Sequence, residues 1–458
     1  MYGIPLIVGL FGVVWFFWAW VNLYLNLFCP PPWVFPSAQD PATDPFYVPP
    51  AGFEEVRPGT ILRNRKVTTS FFGISPSQVR AFQLLYRTTA VDGSAIATVT
   101  TIFRPFVTFN DRFISFHTAY DSASVSCNPS YQYQLGVPQT DLISSLEMLF
   151  IQRHVAQGYI VASPDYEGPD AALAAGRVAG MSVLDGMRAV INFQEGLRIS
   201  GGNLATVGVG YSVGAIATGW AASLQSSYAP ELNIKGWALG GTPVNLSGTF
   251  HQLDNSTFSG FLPAAIDGLC KPSAYGVQLQ PVIDGIITSE GRELLDYANS
   301  HCVIADLGNF HHKSMFSPDI QRLGPDLLQH PTIASVLKHN RLGVNQNEVP
   351  IAPVFVYHGL QDEIIPYADV PAMVDFWCSN GATVVFTTFS DDGHARALLA
   401  SIMQTSDFIQ NAFAETLPEG CSRNTIPSTP KCATPVVKTS GQGELRKRRP
   451  VPVADTNR

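Results

Sequence analysis

Ser212 lies in Gly210-Tyr211-Ser212-Val213-Gly214, between a β-prone run at Ala205–Val209 and a small-residue run at Val213–Ala222 that reads as a helix. A strand turning sharply into a helix puts its serine on a tight elbow. Glycines two residues to either side let the neighbouring backbone pass close. The hydroxyl then projects above the sheet, beside the positive end of the helix. A serine so placed is a nucleophile for acyl transfer. With 38 glycines in 458 residues, chance supplies the pattern in about one such chain in five, so the partners must decide.

A serine nucleophile needs a base, and the base needs an orienting group. On an α/β-hydrolase scaffold they follow in the order serine, acid, histidine, each in a loop after a strand. The apolar run Pro353–His358 is followed by Gly359-Leu360-Gln361-Asp362-Glu363, and the run Val384–Phe389 by Ser390-Asp391-Asp392-Gly393-His394. Asp362 is therefore the expected orienter and His394 the expected base. Of the 10 histidines, His394 alone follows both a strand and a glycine near the end of the core. Glu363 is the rival to Asp362. Asp391 and Asp392 read as turn formers, His358 as a packing residue, and Asp165 and Glu167 as loop-shaping or rim groups. The chemistry needs neither a metal nor an organic cofactor.

Strand-like and helix-like runs alternate from about 60 to 242, which implies a mostly parallel sheet covered on both faces. The alternation stops at Pro243 and resumes at Pro353. The organisation expected is an α/β-hydrolase core at 41–242 and 346–433, interrupted by a helical cap at 243–345. An insertion there lies over the carboxyl ends of the strands, where ligands bind. Residues 1–40 read as a signal or anchor plus linker, and 434–458 as a disordered tail.

Only 14% of residues are charged, against about a quarter in ordinary soluble domains. The net charge of −8 argues against nucleic-acid binding, and the one basic run, Arg446–Arg449, sits in the tail. Ile4–Phe28 holds no charge and is long enough to span a bilayer, which takes about 20 residues. It reads as a secretory-pathway signal, either cleaved or kept as a membrane anchor. The 7 cysteines lack zinc spacing and suit disulfides in that compartment. Glycan acceptor sequences occur at Asn245 and Asn255.

Several longer blocks now bear on the reading: Asp44-Pro45-Phe46-Tyr47, Gln83–Thr89, Asp121-Ser122, Cys127–Tyr131, Asp165–Gly168, Ser227–Ile234, Gly240–Pro243 and Asp362–Pro366. In order and spacing the chain resembles the fungal secretory lipase family, of the Candida lipase A type, over about 44–421. The resemblance implies an α/β-hydrolase with a helical cap acting on lipid esters, secreted, with Ser212, Asp362 and His394 as its triad. It implies an oxyanion hole at Asp121 and Val213, and disulfides pairing Cys127 with Cys302 and Cys378 with Cys421. Cys29, Cys270 and Cys432 are left over. Two features depart from the family. Val213 stands where its best-known yeast members have glycine, so a branched side chain narrows the acyl site. The apolar N-terminus is also longer than an ordinary signal peptide. The same apparatus would serve a narrower esterase, such as a deacetylase of a secondary metabolite. A non-catalytic lipid-binding relic of the fold is the alternative from outside enzymology.

Overall fold

The computed structural model describes residues 38–200 and 202–427. Its strands are β1 (Ile61–Val67), β2 (Ser70–Phe71), β3 (Ser75–Pro76), β4 (Arg80–Thr89), β5 (Ala95–Arg104), β6 (Arg112–His117), β7 (Ile160–Pro164), β8 (Ala205–Tyr211), β9 (Ile234–Gly240), β10 (Val354–Gly359), β11 (Val384–Phe389) and β12 (Cys421–Ile426). All but the β2–β3 hairpin join one sheet in the order β1-β4-β5-β7-β6-β8-β9-β10-β11-β12. From β7 through β12 every pairing is parallel, whereas the β1–β4, β4–β5 and β5–β7 pairings are antiparallel. The central strands are buried along nearly their whole length. That is why they read as continuous apolar runs and not as alternating ones.

Helices cover both faces. Gly176–Asn192 and Val213–Tyr228 pack on one side, in a core that holds Trp220, Trp237 and Trp377. Leu142–Ala156 and Ile402–Ala414 cover the other, around Phe355, Tyr357 and Phe408. A side chain on Gly180 would stand 2.7 Å from the Trp220 backbone, so the first pair of helices approach closely because that residue is glycine.

Between β9 and β10 the chain is helical: Leu246–Leu253, Phe261–Leu269, Gly276–Ile286, Ser289–Ala298, Val303–Phe310 and Pro331–His339. These helices bury an apolar cluster of their own, which reaches the main body through Ala123, Leu173, Ala174 and Val178. Cys127–Cys302 ties them to the segment after β6, and Cys378–Cys421 ties the helix Asp369–Ser379 to β12. Cys270 is unpaired and buried. Among the described residues, no helix is long and apolar enough to cross a membrane. Ile4–Phe28, Cys29, Cys432 and the tail lie outside the described residues.

The strand register sets up the site. Tyr211 pairs with Gly240, Gly240 with Tyr357, and Tyr357 with Thr387. The carboxyl ends of β8 to β11 are therefore level, and the loops that leave them emerge side by side.

Candidate active site

Ser212 follows β8 directly and precedes the helix Val213–Tyr228. Its backbone has φ 55° and ψ −126°, a region costing a non-glycine residue about 1–3 kcal/mol. The surroundings enforce it: Ser212 N–H donates to Gly240 O at 2.9 Å, and Ser212 O accepts from Ala215 N–H at 2.9 Å. Both flanking glycines are needed for space. A methyl on Gly210 would stand 2.3 Å from Gly214 O, and one on Gly214 would stand 2.0 Å from His117 O.

The loops after β10 and β11 bring the partners in. His394 Nε2 lies 3.0 Å from Ser212 Oγ, and His394 Nδ1 lies 2.7 Å from Asp362 Oδ2. Asp362 Oδ1 accepts from Ile364 N–H at 3.0 Å and Ile365 N–H at 2.8 Å, so its carboxylate is fixed by its own loop. His358 Nε2 stands 3.1 Å from Asp362 Oδ2. Burial alone would raise the Asp362 pKa, but the two histidines outweigh it and hold the carboxyl well below the usual range. For His394, burial alone would lower the pKa. The Asp362 charge and hydrogen bond, with Glu363 and Asp121 behind them, raise it above 6.5.

Glu363 turns away from the ring. Its Oε2 accepts from His394 N–H at 3.0 Å, where it caps the first residue of the helix His394–Ala400. Gly393 makes room for that contact, since a methyl there would stand 2.3 Å from Glu363 Oε2. Tyr211 O–H donates to His394 O at 2.6 Å. The histidine is thus gripped at its ring, its amide and its carbonyl.

Asp121 lies opposite, with φ 43°. Asp121 and Val213 line the same cavity as Ser212. Among the described residues, neither the Asp121 nor the Val213 backbone N–H donates to a protein acceptor. Two free N–H groups beside a serine hydroxyl are what an oxyanion requires. Burial pushes the Asp121 carboxyl up to about 7, with His394 pulling it back. The cavity holds about 1250 Å³ of empty space, part of it open to solvent, and runs from Ser212 into the inter-β9–β10 helices. Its walls are almost wholly apolar, with Leu246, Phe250, Phe261, Ile283 and Leu295 among them. Val213 is half-buried in its wall.

Four expectations change. His358 does more than pack: it contacts Asp362. Asp165 and Glu167 are not rim groups, being 0% and 1% exposed. Asp165 Oδ1 accepts from Ser130 N–H at 2.8 Å. Asp392 is buried and meets Arg396 at 3.2 Å, so it is more than a turn former. Of the two sequons, Asn255 is exposed, whereas the Asn245 amide donates to Asp369 Oδ1 at 3.2 Å. The roles of Glu363, His358 and Tyr211 went unseen in sequence, although the His358–Asp362 spacing across a strand end was visible.

Known proteins resemble this one closely. Residues 133–419 match the family model for secretory lipase. A "secreted triacylglycerol lipase LIP1" of Malassezia furfur is 38% identical, over 83% of this chain and 78% of that protein. A second from the same organism, LIP2, is 39% identical over 82% and 80%. The solved Candida antarctica lipase A superposes with a TM-score of 0.78 at 32% identity, covering 87% of this chain and 92% of its own. An esterase LipA of Xanthomonas oryzae, at 15% identity and TM-score 0.60, shares the fold. The chain belongs to the secretory lipase family and is an α/β-hydrolase.

Proposed function

We propose that this chain is a secreted carboxylic ester hydrolase that cleaves triacylglycerol-type lipid esters through a Ser212–His394–Asp362 triad. The observation that carries the reading is the unbroken hydrogen-bonded path from Asp362 through His394 to Ser212 in the wall of an apolar cavity. The names of its secreted lipase relatives support the substrate class and the destination.

Ser212 Oγ attacks the ester carbonyl as His394 Nε2 takes its proton. Asp362 holds the imidazole in the needed tautomer and stabilises the imidazolium. The oxyanion accepts from the N–H groups of Val213 and Asp121, and one such donor is worth about 2.7–4 kcal/mol. While protonated, the Asp121 carboxyl is a further donor. The intermediate collapses, and the alcohol leaves with the proton from His394. Water then repeats the attack on the acyl-enzyme. The helices between Leu246 and His339 act as the cap, and the acyl chain lies along the cavity they wall. Ile4–Phe28 serves as the secretory signal or anchor, and Asn255 is the better-presented glycan acceptor.

Ser212→Ala tests the reading. Hydrolysis of nitrophenyl esters and of a triacylglycerol emulsion should vanish while the thermal unfolding transition survives. Turnover near the parent rate would overturn the mechanism. A series from acetyl to long acyl esters tests the substrate class. A rate that peaks at acetyl and is lost on long chains would point to the narrower esterase.

A further inference from the structure

The segment that carries the Asp121 N–H leaves the sheet at the end of β6 and is tied down by surrounding side chains. Thr118 O accepts from Tyr166 O–H at 2.7 Å, and the Tyr120 hydroxyl accepts from Glu167 N–H at 3.1 Å. The Ala119 N–H is held by a carboxyl: Glu147 Oε2 accepts it at 2.9 Å. Glu147 projects from the helix Leu142–Ala156, on the face of the sheet away from the elbow helix, and is 4% exposed. Two residues beyond Ala119, Asp121 keeps its strained positive φ. Such a conformation persists only where neighbours over-determine it.

We infer that Glu147 is a positioning residue for the oxyanion hole: its carboxyl, by holding the Ala119 N–H, keeps the following backbone where Asp121 can present its own N–H to the oxyanion. Glu147 touches no reacting atom. The inference rests on the proposed role of Asp121 as an oxyanion donor.

The chemistry of the group fits. Among the described residues no cation pairs with Glu147. Burial, opposed by the Ala119 hydrogen bond and helped by the nearby Asp121 and Asp141, pushes its carboxyl well above the usual range. Glutamine reproduces the size of the group and keeps an accepting oxygen. The carboxyl also lines a smaller cavity on that face, with Arg153, Tyr211, Ser401 and Thr405. A changed side chain there can relax without forcing the helix off the sheet. A shift of about 1 Å in a catalytic donor can cost about a hundredfold in rate, so the readout should be large.

Three substitutions test the inference, each read as kcat and KM on one nitrophenyl ester, beside the thermal unfolding midpoint. Glu147→Gln keeps both reach and acceptor, and its kcat should stay within about threefold of the parent. Glu147→Met keeps the size and loses the acceptor. Glu147→Asp keeps the carboxyl and falls one methylene short. Both should lose at least about tenfold in kcat with KM changed less than about twofold. If the methionine variant does not fold, the glutamine and aspartate pair decides. Parent-like kcat in Glu147→Asp, or an equal loss in Glu147→Gln, overturns the inference. A Ser212→Ala control run alongside separates the two levels. Turnover surviving there sinks the triad and this inference together. Turnover lost there, with parent-like kcat across the Glu147 series, sinks this inference alone.

Discussion

His394 is held by three groups with different tasks, and their removal should differ accordingly. In the proposed mechanism Asp362 fixes the tautomer and stabilises the imidazolium, so Asp362→Asn should lower kcat about 10⁴-fold. Glu363 fixes only the amide of His394. A hydrogen bond of that kind is worth about 0.5–1.5 kcal/mol, so Glu363→Met, which keeps the size and loses the acceptor, should lower kcat about tenfold or less. Steady-state rates of the two variants decide which carboxylate orients the ring. The pH dependence follows from the same contacts. A general base works only unprotonated, so activity falls as pH drops through its pKa. That pKa is raised above 6.5; the acid limb of kcat/KM should therefore lie above 6.5, and a limb below it would contradict the pairing. In the sequence, Ser212, Asp362 and His394 were legible because each follows a strand. The contacts of Glu363 and His358 were not assignable, since neither the direction of a carboxylate beside Asp362 nor that of a histidine at the end of a strand is written in the sequence.

At the scale of the element, the elbow depends on what its glycines do not occupy. Gly214→Ala would place a methyl 2.0 Å from His117 O, backbone that cannot swing aside. Overpacking of this kind costs about 1–3 kcal/mol or more. It also presses on the strand that leads to Asp121. The variant should show a lower unfolding midpoint and a lower kcat together. Val213 works on the substrate side. Val213→Gly should raise the rate on bulky α-branched acyl esters relative to straight ones, at about 0.5 kcal/mol of helix stability or less. An unchanged ratio would show that Val213 does not narrow the site. The β8 run and the helix after it were readable from composition alone. Of the two readings of Asp165 and Glu167, the rim one fails because the post-strand loop is buried, whereas the loop-shaping one fits the Asp165 contact with Ser130.

For the whole molecule, the notable feature is a set of buried acids behind the site. Burial pushes Asp141 and Asp165 up to about 7, as it does Asp121, and drives Glu147 and Glu167 well above their ordinary range. In the unfolded chain these groups lose their protons near pH 4. The folded state thus binds more protons across the range between, and stability falls as pH rises through it. Asp362 acts in the opposite sense below its ordinary range, and so do the buried His117 and His154, whose pKa burial lowers to about 3 and about 4, but the acids outnumber them. Unfolding midpoints should be higher at pH 5 than at pH 8, and the reverse order would mean the acids are ionised in the fold. The Cys127–Cys302 link spans 175 residues and fastens the helical insertion to the segment after Asp121. Its removal in Cys127→Ser/Cys302→Ser should cost about 2–5 kcal/mol in denaturant unfolding.

The sequence by itself determined the α/β class, the helical insertion and the three residues of the relay. Strand periodicity, small-residue spacing and post-strand position are local properties written along the chain. The tertiary structure alone decided that Glu363 takes the His394 amide and that His358 meets the Asp362 carboxylate, and how deep the acids lie. Those depend on strand register and on helices packed from distant parts of the chain. Direction and burial arise only when such parts meet, and they set both the distances and the proton affinities on which the site rests.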